Sequence, residues 1–208
     1  MKGLFVTMFV LAILAFAAQN SQAQMTFSIG PKLGINLANA TLDPDFPSGV
    51  DKTMLTAFMF GAAAEFGVNE MFAVQAEPMY AMKGFKVESG GQEAKFKVNY
   101  LEIPVLAKVK FGHGKAMPYI FAGPNLGINL TAEVEGGGLT VDVKDSTESI
   151  DFGLDFGAGV GIDISPTTVL AIDGRYSLGL SDIDKTSSGS IKNTGIQFLV
   201  SFLFKLGN

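Results

Sequence analysis

The sequence predicts an all-β fold: an eight-stranded antiparallel up-and-down transmembrane β-barrel behind a secretory leader. Three observations carry this. Apolar and polar residues alternate with period two in eight separate stretches, the mark of strands with unlike faces. The connections alternate long and short, as the extracellular loops and periplasmic turns of outer-membrane barrels do. Past the leader no apolar run is long enough for a membrane helix, so strands must make any crossing.

The leader comes first. Met1-Lys2 is a short positive region, Leu4 to Ala18 is apolar, and Ser21-Gln22-Ala23 puts small residues where a signal peptidase reads. The apolar run is shorter than the roughly 20 residues of a spanning helix. The expected organisation is a cleaved signal peptide over 1–23 and one barrel domain over 24–208. No linker divides that domain, and no further domain is expected after the last strand.

The strands follow in order. Phe27, Ile29, Pro31, Leu33, Ile35 and Leu37 share one face, with Ser28, Gly30, Lys32, Gly34, Asn36 and Ala38 on the other. Phe58, Phe60, Ala62, Ala64 and Phe66 oppose Met59, Gly61, Ala63 and Glu65 in the stretch Met54 to Phe66. Phe72, Val74, Ala76, Tyr80 and Met82 oppose Gln75, Glu77 and Lys83. Leu101, Ile103, Val105, Ala107, Val109 and Phe111 oppose Glu102, Leu106 and Lys108. The fifth stretch sets Ile120, Ala122, Leu126, Ile128 and Leu130 against Tyr119, Phe121, Asn125 and Asn129. The sixth runs from Phe152 to Ile164, with Asp155, Asp163 and four glycines on its second face. The seventh sets Leu170, Ile172, Tyr176 and Leu178 against Asp173, Arg175 and Ser177. The eighth sets Ile196 to Leu206 against Gly195, Gln197, Ser201 and Lys205. Long loops are expected at Asn39–Thr53, Phe85–Lys95, Thr131–Ile150 and Ser181–Asn193. Short turns are expected at Gly67–Met71, Gly112–Met117 and Ser165–Thr168. Both termini then lie on the periplasmic side.

Alternation alone does not say which face points inward. A soluble lipocalin-like barrel would line its cavity with the apolar face. Glycine decides. It crowds the charged face, where side chains converge in a narrow barrel and bulky ones need small neighbours. The apolar face should therefore meet lipid. The lumen should hold an ion-paired structural network of Lys32, Glu65, Glu77, Lys83, Glu102, Lys108, Asp155, Asp173, Arg175 and Lys205, because an unpaired charge in a dry interior costs several kcal/mol. Pairing across Ser165–Thr168 is expected to set Arg175 beside Gly159 and Asp173 beside Gly161.

Tyr100-Leu101-Glu102-Ile103-Pro104 with Lys108, and Pro118-Tyr119-Ile120-Phe121-Ala122-Gly123-Pro124-Asn125-Leu126-Gly127, resemble the fourth and fifth strands of the PorT-like outer-membrane β-barrel family of Gram-negative bacteria. Gly30-Pro31-Lys32-Leu33-Gly34, Glu77 with Tyr80 and Lys83-Gly84, Phe152 to Gly161, and Arg175-Tyr176-Ser177 resemble its first, third, sixth and seventh strands. The resemblance spans nearly the whole mature chain. It implies an eight-stranded, loosely porin-like barrel; some members serve secretion or gliding machinery. Two features depart from common outer-membrane barrels. Phe204 is followed by Lys-Leu-Gly-Asn rather than ending the chain, and the chain has no tryptophan for an interfacial belt. Phe27, Phe66, Phe72, Phe111 and Phe204 are expected to form the periplasmic belt, with Tyr80, Phe152, Tyr176 and Phe198 nearer the outer rim.

Composition narrows the function. The chain has no cysteine, hence no thiolate metal site, and its net charge of −5 with no basic stripe argues against nucleic-acid binding. The single histidine, His113, sits in a Gly-His-Gly turn away from the outer leaflet, so no catalytic base is expected where lipid-modifying chemistry would need one. Asp43, Asp45, Asp51, Glu133, Glu135, Asp142 and Asp145 lack calcium-loop spacing. The expectation is a non-enzymatic outer-membrane barrel, without catalytic, metal or cofactor site, in a structural or interaction role. Its partners would be outer-membrane lipid and an envelope protein or surface ligand at the loops. The alternatives are a narrow porin-like channel for small solutes and a soluble lipocalin-like carrier of an apolar ligand.

Overall fold

The computed structural model describes residues 25–112, 114–186 and 189–206. The leader and His113 lie outside them. Ten strands form the fold: β1 (Thr26–Asp43), β2 (Asp51–Gly67), β3 (Phe72–Ala76), β4 (Met79–Ser89), β5 (Gln92–Lys110), β6 (Ala116–Gly136), β7 (Leu139–Asp142), β8 (Ile150–Ser165), β9 (Thr168–Gly179) and β10 (Ser190–Leu206). β3 and β4 are two halves of one stave. Pro78 lacks the N–H a ladder needs, so the stave is interrupted there, and the Glu77 N–H instead donates to the Pro104 carbonyl at 3.1 Å. Neighbours pair antiparallel all the way round, from β1–β2 to β9–β10, and β10 returns to β1. The result is a closed barrel of eight staves with no open edge along its wall. β7 is an extra strand hairpinned onto β6 beyond the barrel.

The faces separate sharply. Leu33 and Phe60 are each 59% exposed, while Lys32 is 1%, Glu77 0% and Arg175 3% exposed. This overturns the lipocalin-like alternative: the apolar residues clothe the outside. The outward apolar rows run from Phe27 to Leu37, Leu101 to Phe111, Ile120 to Leu130 and Ile196 to Leu206. Each matches the roughly 9–11 residues a tilted strand needs to cross hydrocarbon. Phe27, Phe66, Phe72, Phe111 and Phe204 are all exposed and lie at the end of the barrel with the short turns.

At that turn end the connections are tight. The Asn69 carboxamide oxygen accepts the Met71 and Phe72 N–H groups at 2.9 and 2.7 Å, a side chain closing its own turn. Ser165 pairs with Thr168. At the other end the strands run further than expected. Phe85–Lys95 is not a loop: β4 and β5 continue and reverse at Gly90-Gly91, whose φ values of 57° and 78° suit a two-residue hairpin turn. Likewise Thr131–Ile150 contains the end of β6, all of β7 and a short helical turn over Lys144–Ser146. The sequence reads as loop there because the outer face turns polar. Ion pairs replace apolar contacts, with Lys97 on Glu135 at 2.5 Å and Lys95 on Glu93 at 3.0 Å.

The β8–β9 register corrects the expectation by two residues. Gly157 faces Arg175 and Gly159 faces Asp173. A two-residue reversal with an irregularity between Asp163 and Ser165 closes the hairpin more tightly than the expected pairing assumed. A shift of two preserves parity, so both charged residues still point inward.

Candidate functional site

The lumen is the one place where the described charges concentrate out of water. Its hub is Glu77, placed by the break before Pro78. One carboxylate oxygen accepts Lys32 Nζ at 2.8 Å and the Gln75 amide; the other accepts Arg175 Nη2 at 2.6 Å. Lys32 also donates to Asp173 at 2.5 Å, and Arg175 Nη1 to Asp155 at 3.2 Å. The Tyr119 hydroxyl donates to the second Asp173 oxygen at 2.5 Å. These groups come from β1, β3, β6, β8 and β9, so the hub ties opposite walls together.

Towards the loop end, Lys83 donates to Glu102 at 2.5 Å and Asp151 at 3.3 Å. Asn193 donates to Asp151 at 2.9 Å and Ser181 to its other oxygen at 2.7 Å. Asn125 links this tier to the hub, donating to Glu102 at 3.0 Å and to Asp155 at 3.3 Å. Towards the turn end, Lys108 donates to Glu65 at 2.7 Å and to Gln75 at 2.8 Å; Lys110 takes the other Glu65 oxygen at 2.5 Å. Lys205 pairs with Asp163 at 2.7 Å on the half-exposed rim.

Of the ten residues named from sequence, all but Lys205 therefore join one hydrogen-bonded set, connected through Gln75 and Asn125. The charges pair between staves rather than along one strand: Glu102 meets Lys83, and Asp173 meets Lys32. Glu102 and Lys108 are separated along β5 by roughly 20 Å at the strand rise, whereas inward side chains of a closed barrel converge on one another across the lumen. Sequence reasoning omitted Asp151, Lys110, Asn125 and Asn193 from the set. Strand parity was the available signal for Asp151 and Lys110, which lie in step with Asp155 and Lys108.

Apolar and aromatic side chains fill the remaining cross-section. Met59, Met79, Ala81 and Leu199 pack as one cluster, and Leu106, Tyr119, Phe121 and Ala171 as another. Glycine makes this possible. A Cβ on Gly159 would lie 2.6 Å from the Tyr119 ring, and one on Gly157 2.8 Å from the Phe121 ring. Lys108 lies 3.9 Å from the Tyr119 ring centroid, a cation–π contact that helps hold the buried ammonium.

Among the described residues no group of histidine and carboxylate side chains is arranged to hold a metal ion. Three of the loop carboxylates named from sequence have local partners. Asp45 accepts its neighbour's N–H and lies 3.8 Å from Lys52, Glu135 pairs with Lys97, and Asp142 accepts the Lys144 N–H. What these side chains do chemically is tie the walls of the barrel together across the lumen.

Comparison with known proteins agrees with this geometry. The family described as "Outer membrane protein beta-barrel domain" matches residues 16–185. The crystal structure of Neisserial surface protein A (NspA) is similar, at 15% identity and TM-score 0.51, covering 86% of this chain and 97% of that one. The outer membrane protein OprG from Pseudomonas aeruginosa is also similar, at 12% identity and TM-score 0.55, covering 89% of this chain and 98% of that one. At such identities the likeness concerns the fold. Comparison with curated proteins gives no match.

Proposed function

The chain belongs to the outer membrane protein beta-barrel domain family and is an outer-membrane barrel, and from that premise we propose that it is a closed, non-enzymatic barrel acting through its extracellular loops. One observation carries the closed reading. The lumen is crossed at mid-height by the Lys32–Glu77–Arg175–Asp155 chain and packed on either side by the two apolar clusters. Against the narrow-channel alternative, which needs a continuous hydrated path, we set these crossing ion pairs and the side chains packed beside them. In planar bilayers the refolded protein should give no steady conductance above the lipid baseline. A large, stable, ohmic conductance would overturn the reading.

On this reading the short turns lie on the periplasmic side together with both termini, and the Met1-Lys2, Leu4 to Ala18 and Ser21-Gln22-Ala23 pattern supports a cleaved signal peptide over 1–23 before the barrel domain, 24–208. Family barrels place longer connections outside the cell, and here β4–β7 carry the sheet past the apolar belt into that space. That projection is the surface an envelope protein or surface ligand would meet. The finer assignment to PorT-like barrels rests on the Tyr100–Pro104 and Pro118–Gly127 motifs. Their Tyr100, Glu102, Tyr119, Phe121 and Asn125 side chains are all buried in the lumen, which gives those motifs a packing reason.

A further inference from the structure

We infer that the periplasmic mouth of the barrel is a dead-end binding site for a small oxyanion, a free phosphate or carboxylate. A cavity of about 140 Å³ opens there, several times the room one water needs. Its charged lining is Lys108, Lys110 and Lys205 against Glu65. Asp163 holds Lys205 from the side, and with it included the mouth still carries one positive charge more than negative. Lys110 and Lys205 also keep donors to spare. An ammonium has three N–H groups. Lys108 directs two of them at Glu65 and Gln75, while Lys110 directs one at Glu65 and Lys205 one at Asp163.

The walls raise the value of those donors. Met117, Val169, Ala171 and Leu203 line the cavity with apolar surface, and low-dielectric walls strengthen a charge-assisted hydrogen bond. The floor sets the direction. Tyr119 closes the cavity, and behind it stands Asp173, with Glu77 beyond. An anion attracted into the mouth meets carboxylates of its own sign past the ring, so it stops there. The lumen is thus polarised: cationic at the periplasmic mouth and acidic above. There Lys32, Lys83 and Arg175 face Glu77, Glu102, Asp151, Asp155 and Asp173.

The test uses the full mature barrel refolded in a maltoside detergent and titrated with inorganic phosphate while backbone amide shifts are followed by NMR. Shifts at Gly161, Val169, Ala171 and Leu203 should move and saturate, while those at Gly90 and Gly91 stay still. Acetate should compete, and guanidinium at equal ionic strength should not reproduce the shifts. Lys205→Gln, at the half-exposed rim, should fold normally by gel migration and weaken the phosphate affinity about tenfold, the effect of losing one charge-assisted hydrogen bond. Lys97→Gln, on the outer wall at the other end, should leave affinity unchanged. Shifts that fail to saturate, that appear equally at Gly90-Gly91, or that persist unchanged in Lys205→Gln would overturn the site.

Discussion

Charge imbalance from the hub to the loop end makes an asymmetric prediction about the hub's two central residues. Lys32, Lys83 and Arg175 stand against five carboxylates in that part of the lumen. Arg175→Met removes two charge-assisted hydrogen bonds, to Glu77 at 2.6 Å and to Asp155 at 3.2 Å. Such bonds contribute about 1.5–3 kcal/mol each. The carboxylates left behind have too few cations for all of them, and stripping one partner from a buried pair costs about 3–5 kcal/mol. The expected loss is therefore about 4–6 kcal/mol. Glu77→Gln keeps an acceptor of the same shape for Lys32 or Arg175, and both cations retain an aspartate. Its expected loss is about 1–3 kcal/mol. The chain has no tryptophan, so unfolding in urea is best followed by the shift in gel migration between folded and unboiled-versus-boiled forms in lipid vesicles. If Glu77→Gln destabilises as much as Arg175→Met, the excess of negative charge in the lumen is not felt and the argument fails.

Three further outcomes follow from packing, lipid contact and titration. Gly159→Ala should destabilise the barrel by about 1–3 kcal/mol, because its Cβ would meet the Tyr119 ring and the Asp173 carboxylate within 2.6 Å. Gly174→Ala, whose Cβ has its nearest neighbour at 4.0 Å, should be close to neutral, and equal effects in the same urea series would refute the steric account. Phe60→Arg, at a mid-belt position 59% exposed, should cost about 2–4 kcal/mol in vesicles. Leu139→Arg on β7, beyond the belt, should be tolerated; a tolerated Phe60→Arg would mean the outer face does not meet acyl chains. In the loop after β9, partial burial opposes ionisation of Asp182, but the Asp184 and Ile191 N–H groups donate to its carboxylate at 3.0 and 2.9 Å and hold it below the ordinary 3.8. A depressed carboxylate stabilises the loop fully above its unfolded value and loses that contribution as pH falls through the folded one. The Ile191 amide shift should therefore titrate below pH 3.8, and a midpoint at or above it would contradict these hydrogen bonds.

Strand identity and facing were legible because both are local. Lys32, Glu77 and Arg175 sit in step with glycines and small polar residues on one face, and Leu33, Phe60 and Phe198 on the other, whatever the register. The loop-end extensions were hidden, since Lys86, Lys95, Lys97, Glu133 and Glu135 give the outer face of β4–β6 the composition of a loop. The break at Glu77-Pro78 was readable in principle from the proline, but not its consequence, which is to hold the hub carboxylate over the lumen. The periplasmic cavity could not be read at all. Lys110 carries no sequence signal beyond parity, and it lines one cavity with Lys205 only because closure of the ring sets β5 opposite β10.

From the sequence by itself came the barrel, its strand number, the greasy exterior and the set of charges inside, because a period of two assigns every side chain to a face without reference to any other strand. Which charge meets which was settled only by closure. Lys32 finds Asp173 across 141 positions of chain and Arg175 finds Glu77 across 98. Partners so far apart depend on register and stagger accumulated around eight staves, and a slip of two residues at one hairpin, as at Gly157 and Gly159, changes the neighbours while leaving every face as it was.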